Sequence, residues 1–135
     1  NSEVSTTGNP LAHAILRGYV NHRGQNLPNY HYEDLNHLCE LYMQAGLANH
    51  GVIIDSNHSN SGKRYAEQPR ICKEVLHICR QNAPFSRIVK GFMIESYLVD
   101  GCQSVNGDVY GQSITDPCLG WEKTERLIYD IADLV

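Results

Sequence analysis

Three times along this chain a short apolar run gives way to a polar loop and then to a stretch whose apolar residues recur at helical spacing. The first run is "HAIL", and the helical pattern after it places Leu35, Leu38, Cys39, Tyr42 and Ala45 on one face. Glu33 and Asp34 fall in the first turn of that helix, and Gly46 supplies a C-terminal stop. The second run, around Val52 to Ile54, leads through a Ser/Asn/Gly loop to a helix with Ile71, Val75, Ile78 and Cys79 on one side. The third, "RIVKGFMIES", leads through a glycine-bearing loop to a helix carrying Leu127, Ile128, Ile131 and Leu134. Strands that alternate with helices predict parallel strands joined by right-handed crossovers. The expected strands lie near residues 13–17, 51–55 and 88–95, and the helices near 31–46, 67–81 and 120–134. No linker or low-complexity segment interrupts them, so residues 1–135 read as one α/β segment. Three such units leave two sheet edges unpaired, which marks the chain as part of something larger.

Charge and composition remove several classes of function. A formal charge of -4 with no Lys/Arg run argues against nucleic acid as a partner. The longest apolar runs are too short to span a bilayer, and "NSEVSTTGNP" has neither the basic nor the apolar region of a signal peptide. A cytoplasmic location is therefore expected. The odd count of cysteines, Cys39, Cys72, Cys79, Cys102 and Cys118, with no CxxC pair, reads as buried thiols in a reducing compartment rather than a disulfide scaffold.

In parallel α/β folds chemistry gathers where strands end at their carboxyl side. The first strand ends on Arg17, the second delivers His58 just past its end, and the third ends on Glu95; Asp116 lies just before the last helix. One imidazole and two carboxylates suit a divalent Mn, Fe, Co or Zn ion. Each residue also has a plainer reading. His58 fits a hydrogen-bonded turn, Glu95 a salt bridge, and Asp116 before Pro117 a helix N-cap. Arg17 beside Gly18 suits a phosphate or carboxylate, or is an ordinary surface arginine. Lys63 and Arg64 read as a solvated pair.

Four motifs in order, "GNPLAHAILRG", "IIDSNHSNSGK", "GFMIESYLVDGCQS" and "YGQSITDPCLGWEKT", resemble the C-terminal part of class I 3-deoxy-D-arabino-heptulosonate 7-phosphate (DAHP) synthases. The resemblance implies the last three βα units of a (β/α)8 TIM barrel, here incomplete, since such a barrel needs roughly 250 residues. It also implies condensation of phosphoenolpyruvate with erythrose 4-phosphate, releasing phosphate, at the head of aromatic amino-acid synthesis. By the same resemblance His58, Glu95 and Asp116 match three of four metal ligands, and Arg17 an arginine that holds phosphoenolpyruvate. The fourth ligand, a cysteine in a "GPCS" segment, is absent from this chain, as are the "KPRT" and "FKNGT" segments. Asn57 stands where the family usually has serine, Tyr19 where it has a second glycine, and the loop after Tyr19 is longer. The chain by itself is expected to be inactive, with a missing N-terminal half or a second copy as its partner. The alternative is a non-catalytic, self-associating α/β module, or one half of a split enzyme.

Overall fold

The computed structural model describes residues 2–135. Its sheet consists of β1 (Ala14–Leu16), β4 (Val52–Asp55) and β5 (Val89–Met93) in the order β1-β4-β5. Both pairings are parallel, with Leu16 opposite Ile54 and Ile54 opposite Phe92. The chain is thus a parallel-strand α/β structure, as the alternation predicts. Around the sheet lie α1 (Tyr32–Ala45), α3 (Gln68–Gln81), α4 (Ala83–Ile88) and α5 (Trp121–Ala132).

Side-chain alternation along the strands explains where the core sits. Ala14, Leu16, Val52, Ile54 and Phe92 pack toward the helices, where Leu35, Ile71, Val75, Phe85 and Ile88 are buried against them. Each such burial contributes roughly 1.5–3 kcal/mol. Ile15, Ile53 and Gly91 lie opposite one another on the other face, where Ile15 and Met93 remain exposed. A second cluster, Cys72, Leu119 and Leu127, seats α5 on α3.

Helix ends follow local chemistry. The Asp34 carboxylate accepts the backbone N–H of His31 at 3.0 Å ahead of α1, and Gly46 closes that helix at φ +59°. The Tyr42 hydroxyl accepts from Ala14 N–H and donates to Gly51 C=O, tying α1 to the amino ends of β1 and β4.

The structure adds elements that periodicity does not predict. The loop after Gly18 folds into a small antiparallel hairpin, β2 (Tyr19–Val20) with β3 (Asn26–Leu27). His58 opens a single helical turn, α2 (His58–Ser61), and a 3-10 turn, Tyr65–Glu67, precedes α3. The loop expected between the third strand and the last helix contains a parallel pair, β6 (Val99–Cys102) with β7 (Gln112–Ser113). Leu119 then forms an isolated parallel bridge with Ser96 just ahead of α5. That helix is capped by Gly120, which removes the N-cap reading of Asp116. Glu95 lies two residues beyond the end of β5, not on it.

Candidate metal centre

The second strand ends inside a set of polar cross-links. Ser56 Oγ lies 2.8 Å from Met93 O, and Asn57 Nδ2 donates to Pro117 O at 3.3 Å. Asn60 Nδ2 donates to both Leu16 O and Asp55 O, at 3.0 and 2.8 Å, while its Oδ1 accepts from Asn29 N. The Ser/Asn run therefore binds the end of β4 to the ends of β1 and β5 and to the segment carrying Asp116. Buried polar groups need such partners, and none of the described buried side chains lacks one. Gly18 belongs to the same assembly. At φ +71° it lies so close to the Ser59–Asn60 backbone that a Cβ would stand 2.8 Å from Asn60 N.

His58 projects from this scaffold. Its backbone φ of +37° is uncommon for a residue with a side chain. Lys63 N–H donates to its carbonyl at 2.7 Å, which helps hold that conformation. Nδ1 lies 2.7 Å from Oδ2 of the buried Asp55, whose Oδ1 accepts from Asn57 N–H. A carboxylate only accepts, so Nδ1 turns a proton toward Asp55, and Nε2 is the ring atom left to face the other two side chains. Nε2 stands 3.3 Å from Asp116 Oδ2 and 3.7 Å from Glu95 Oε1. One ligand atom from each of His58, Glu95 and Asp116 lies within 4.8 Å of the others.

Two cations stand beside the carboxylates of this cluster. Lys63 Nζ donates to Asp116 Oδ1 at 2.9 Å, and this bond holds the Asp116 carboxyl below its ordinary range. Arg17 stands on the same rim with Nε 3.9 Å from Asp55 Oδ2 and its side chain 58% exposed. Cys118 Sγ lies 3.8 Å from Glu95 Oε2; burial and the neighbouring carboxylates push its thiol up, so it stays protonated.

All four residues singled out by strand-end position therefore share one rim. Lys63 and Arg64 are both exposed, as their reading as a solvated pair expects, but they part company: Lys63 bonds Asp116 while Arg64 Nε turns to Ser61 O. Asp55 was not singled out. Its signal was an acid three residues before a histidine at a strand end, the arrangement that orients an imidazole toward a metal. A donor set of one oriented imidazole nitrogen and two carboxylates fits a divalent cation of borderline to hard character.

Residues 1–128 match the model of the DAHP synthetase I family. The phospho-2-dehydro-3-deoxyheptonate aldolase of Haemophilus influenzae is 42% identical over 135 residues, covering 98% of this chain and 35% of the relative. The Trp-sensitive enzyme of the same name from Escherichia coli K12 is 41% identical over 133 residues, 96% of this chain and 35% of its own length. The solved structure of phospho-2-dehydro-3-deoxyheptonate aldolase from Francisella tularensis superposes with a TM-score of 0.82 at 32% identity. It covers 96% of this chain and 36% of the solved one. The chain thus spans about a third of the length of the relatives it matches.

Proposed function

Because this chain belongs to the DAHP synthetase I family, we propose that it carries the metal-binding part of a DAHP synthase active site. In the complete enzyme that site would condense phosphoenolpyruvate with erythrose 4-phosphate and release phosphate. The observation that carries this reading is the convergence of His58 Nε2 with the Glu95 and Asp116 carboxylates, backed by buried Asp55. His58, Glu95 and Asp116 would hold a divalent metal, Mn, Fe, Co or Zn. When bound, such a metal supplies Lewis-acid polarisation of an aldehyde oxygen.

The chain's own residues have definable parts. Asp55 fixes the tautomer and direction of His58. Lys63 keeps Asp116 ionised and turned toward His58. Arg17, a planar fork of donors at the rim, suits the carboxylate or phosphate of phosphoenolpyruvate. The remaining counter-charges and the fourth ligand would come from a segment beyond these residues. The parallel order of β1, β4 and β5, with the bridge at Leu119, supports their reading as the last strands of a (β/α)8 barrel. The uncovered sheet face would then line the barrel interior.

The test is phosphate release by the full natural polypeptide carrying these residues, given both substrates and Mn²⁺. His58→Ala should lower turnover by about a hundredfold or more, and chelation should abolish it. Unchanged turnover in His58→Ala would defeat the reading.

A further inference from the structure

We propose that Gln68, the first residue of α3, is a positioning residue for Glu95, acting through that residue's main chain. This rests on the reading of Glu95 as a metal ligand. The main-chain ladder between β4 and β5 ends where Asp55 pairs with Met93 and Ser56 N–H donates to Met93 O. Beyond that point the second strand turns into α2, so the third loses this neighbour before it reaches Glu95. The Gln68 amide takes the missing place. Its Oε1 accepts Glu95 N–H at 2.8 Å and its Nε2 donates to Glu95 C=O at 2.9 Å.

The amide is itself fixed. Gln68 is fully buried, and Ser56 Oγ lies 3.0 Å from its Oε1, sharing one proton between that oxygen and Met93 O. Two donors converge on one end of the amide, which sets its orientation. On the other side Leu119 N–H also donates to Glu95 O, at 2.9 Å. Glu95 is therefore held by its backbone, whereas its carboxylate is about one-third exposed and its nearest described partners stand 3.7 Å or more away. A ligand so loosely held at its tip depends on where its main chain is placed. Because α3 is anchored by buried Ile71, Cys72 and Val75, Gln68 makes a rigid helix set that placement. The paired donor and acceptor require a primary amide of this length; methionine fills the same space with neither.

The experiment measures Mn²⁺ dissociation constants for the full natural polypeptide from the paramagnetic resonance signal of the free ion. Gln68→Met should weaken binding about tenfold, the size of effect seen when outer partners of metal ligands are removed. In a Glu95→Ala background the same substitution should change binding by less than about twofold, because the group it positions is gone. A purely structural role would weaken binding equally in both backgrounds. Equal losses, or wild-type affinity in Gln68→Met, would overturn the proposal. Should Gln68→Met fail to fold, Ser56→Ala removes the lock on the amide together with the hydroxyl contact to Met93 O, and leaves Gln68 in place. It should cost about threefold, again only when Glu95 is present, and no loss there overturns the proposal. His58→Ala separates the underlying reading. If it binds Mn²⁺ as tightly as the wild type with Gln68 intact, the metal site itself is wrong, and the positioning role falls with it.

Discussion

A buried aspartate decides what His58 can do, since Nε2 is a ligand atom only while Nδ1 carries the proton. Asp55→Asn keeps the shape but can offer an N–H to Nδ1, which drives the proton to Nε2 and removes its lone pair. Mn²⁺ affinity should fall roughly 10–100-fold while the thermal midpoint of the metal-free protein moves little. Titration calorimetry checks this, and undiminished affinity would show that Asp55 does not set the tautomer. Gly18→Ala should act on stability instead. Its Cβ would stand within 2.8 Å of backbone at Asn60 and Ser59, at a φ that strains any side chain, so a loss of about 2–4 kcal/mol is expected in urea unfolding. The two residues differ in how far the sequence exposes them. His58, Glu95, Asp116 and Arg17 could be picked out because each follows a strand, and strand ends are where loops converge. Asp55 could not by that rule, since it reads as the last residue of a strand; only its spacing to His58 marks it. Nor could the bond between Lys63 and Asp116, which joins residues 53 apart in the chain. Only the folded geometry reports that contact.

Elements with a sustained period were legible, and those without one were not. The helix expected near 31–46 is Tyr32–Ala45, and the one near 67–81 is Gln68–Gln81, because four turns of apolar spacing outvote any local ambiguity. Two-residue strands such as Tyr19–Val20 and Gln112–Ser113 carry no alternation to read. The short helix Ala83–Ile88 occupies the gap left between the second helix and the third apolar run, overlapping that run only at Arg87 and Ile88. The start of α5 shows why local chemistry alone misleads. Asp-Pro reads as a cap and first turn, yet the acid that serves this helix is Asp100 on β6. Asp100 accepts Gly120 N–H at 2.7 Å and pairs with Lys123. That pairing, with the Gly120 bond, lowers the Asp100 carboxyl from its ordinary range. A lowered carboxyl contributes stability that is present above its unfolded pKa and is lost as pH falls through the folded one. Asp100→Asn should therefore cost about 0.5–1 kcal/mol at neutral pH, and the cost should shrink as the medium is acidified below the usual carboxylate range. Urea midpoints measured at pH 7 and pH 3 test this; an equal cost at both would assign the effect to shape rather than charge.

Across the molecule, the helices cover one face of a sheet that parallel strands normally need covered on both. Ile15 and Met93 stand about half exposed on the open face, and β1 presents an unpaired edge. Beside that edge an apolar groove of about 390 Å³ runs between His13, Ala14, Leu38, Leu41 and Leu47. No helix among the described residues is long and apolar enough to cross a membrane, so a bilayer-spanning helix does not account for this surface. Protein is its natural cover, since edges and patches of this kind drive association when left open. The candidate metal centre is open in the same way. The side chains of His58, Glu95 and Asp116 are 18%, 36% and 32% exposed, and three protein donors would leave the rest of a coordination shell to water. On the proposed function, Arg17 and Lys63 alone would not neutralise two phosphorylated substrates, because Lys63 is already paired with Asp116. A polypeptide made of these 135 residues only should therefore self-associate, bind Mn²⁺ weakly and release no phosphate from the two substrates. Light scattering on the purified chain reads the first expectation and a coupled phosphate assay the last. Turnover by a monomeric chain would overturn both. Activity that appears only when the remaining two-thirds of a relative is added in trans would show that the open face and the incomplete ligand set are two aspects of one missing surface.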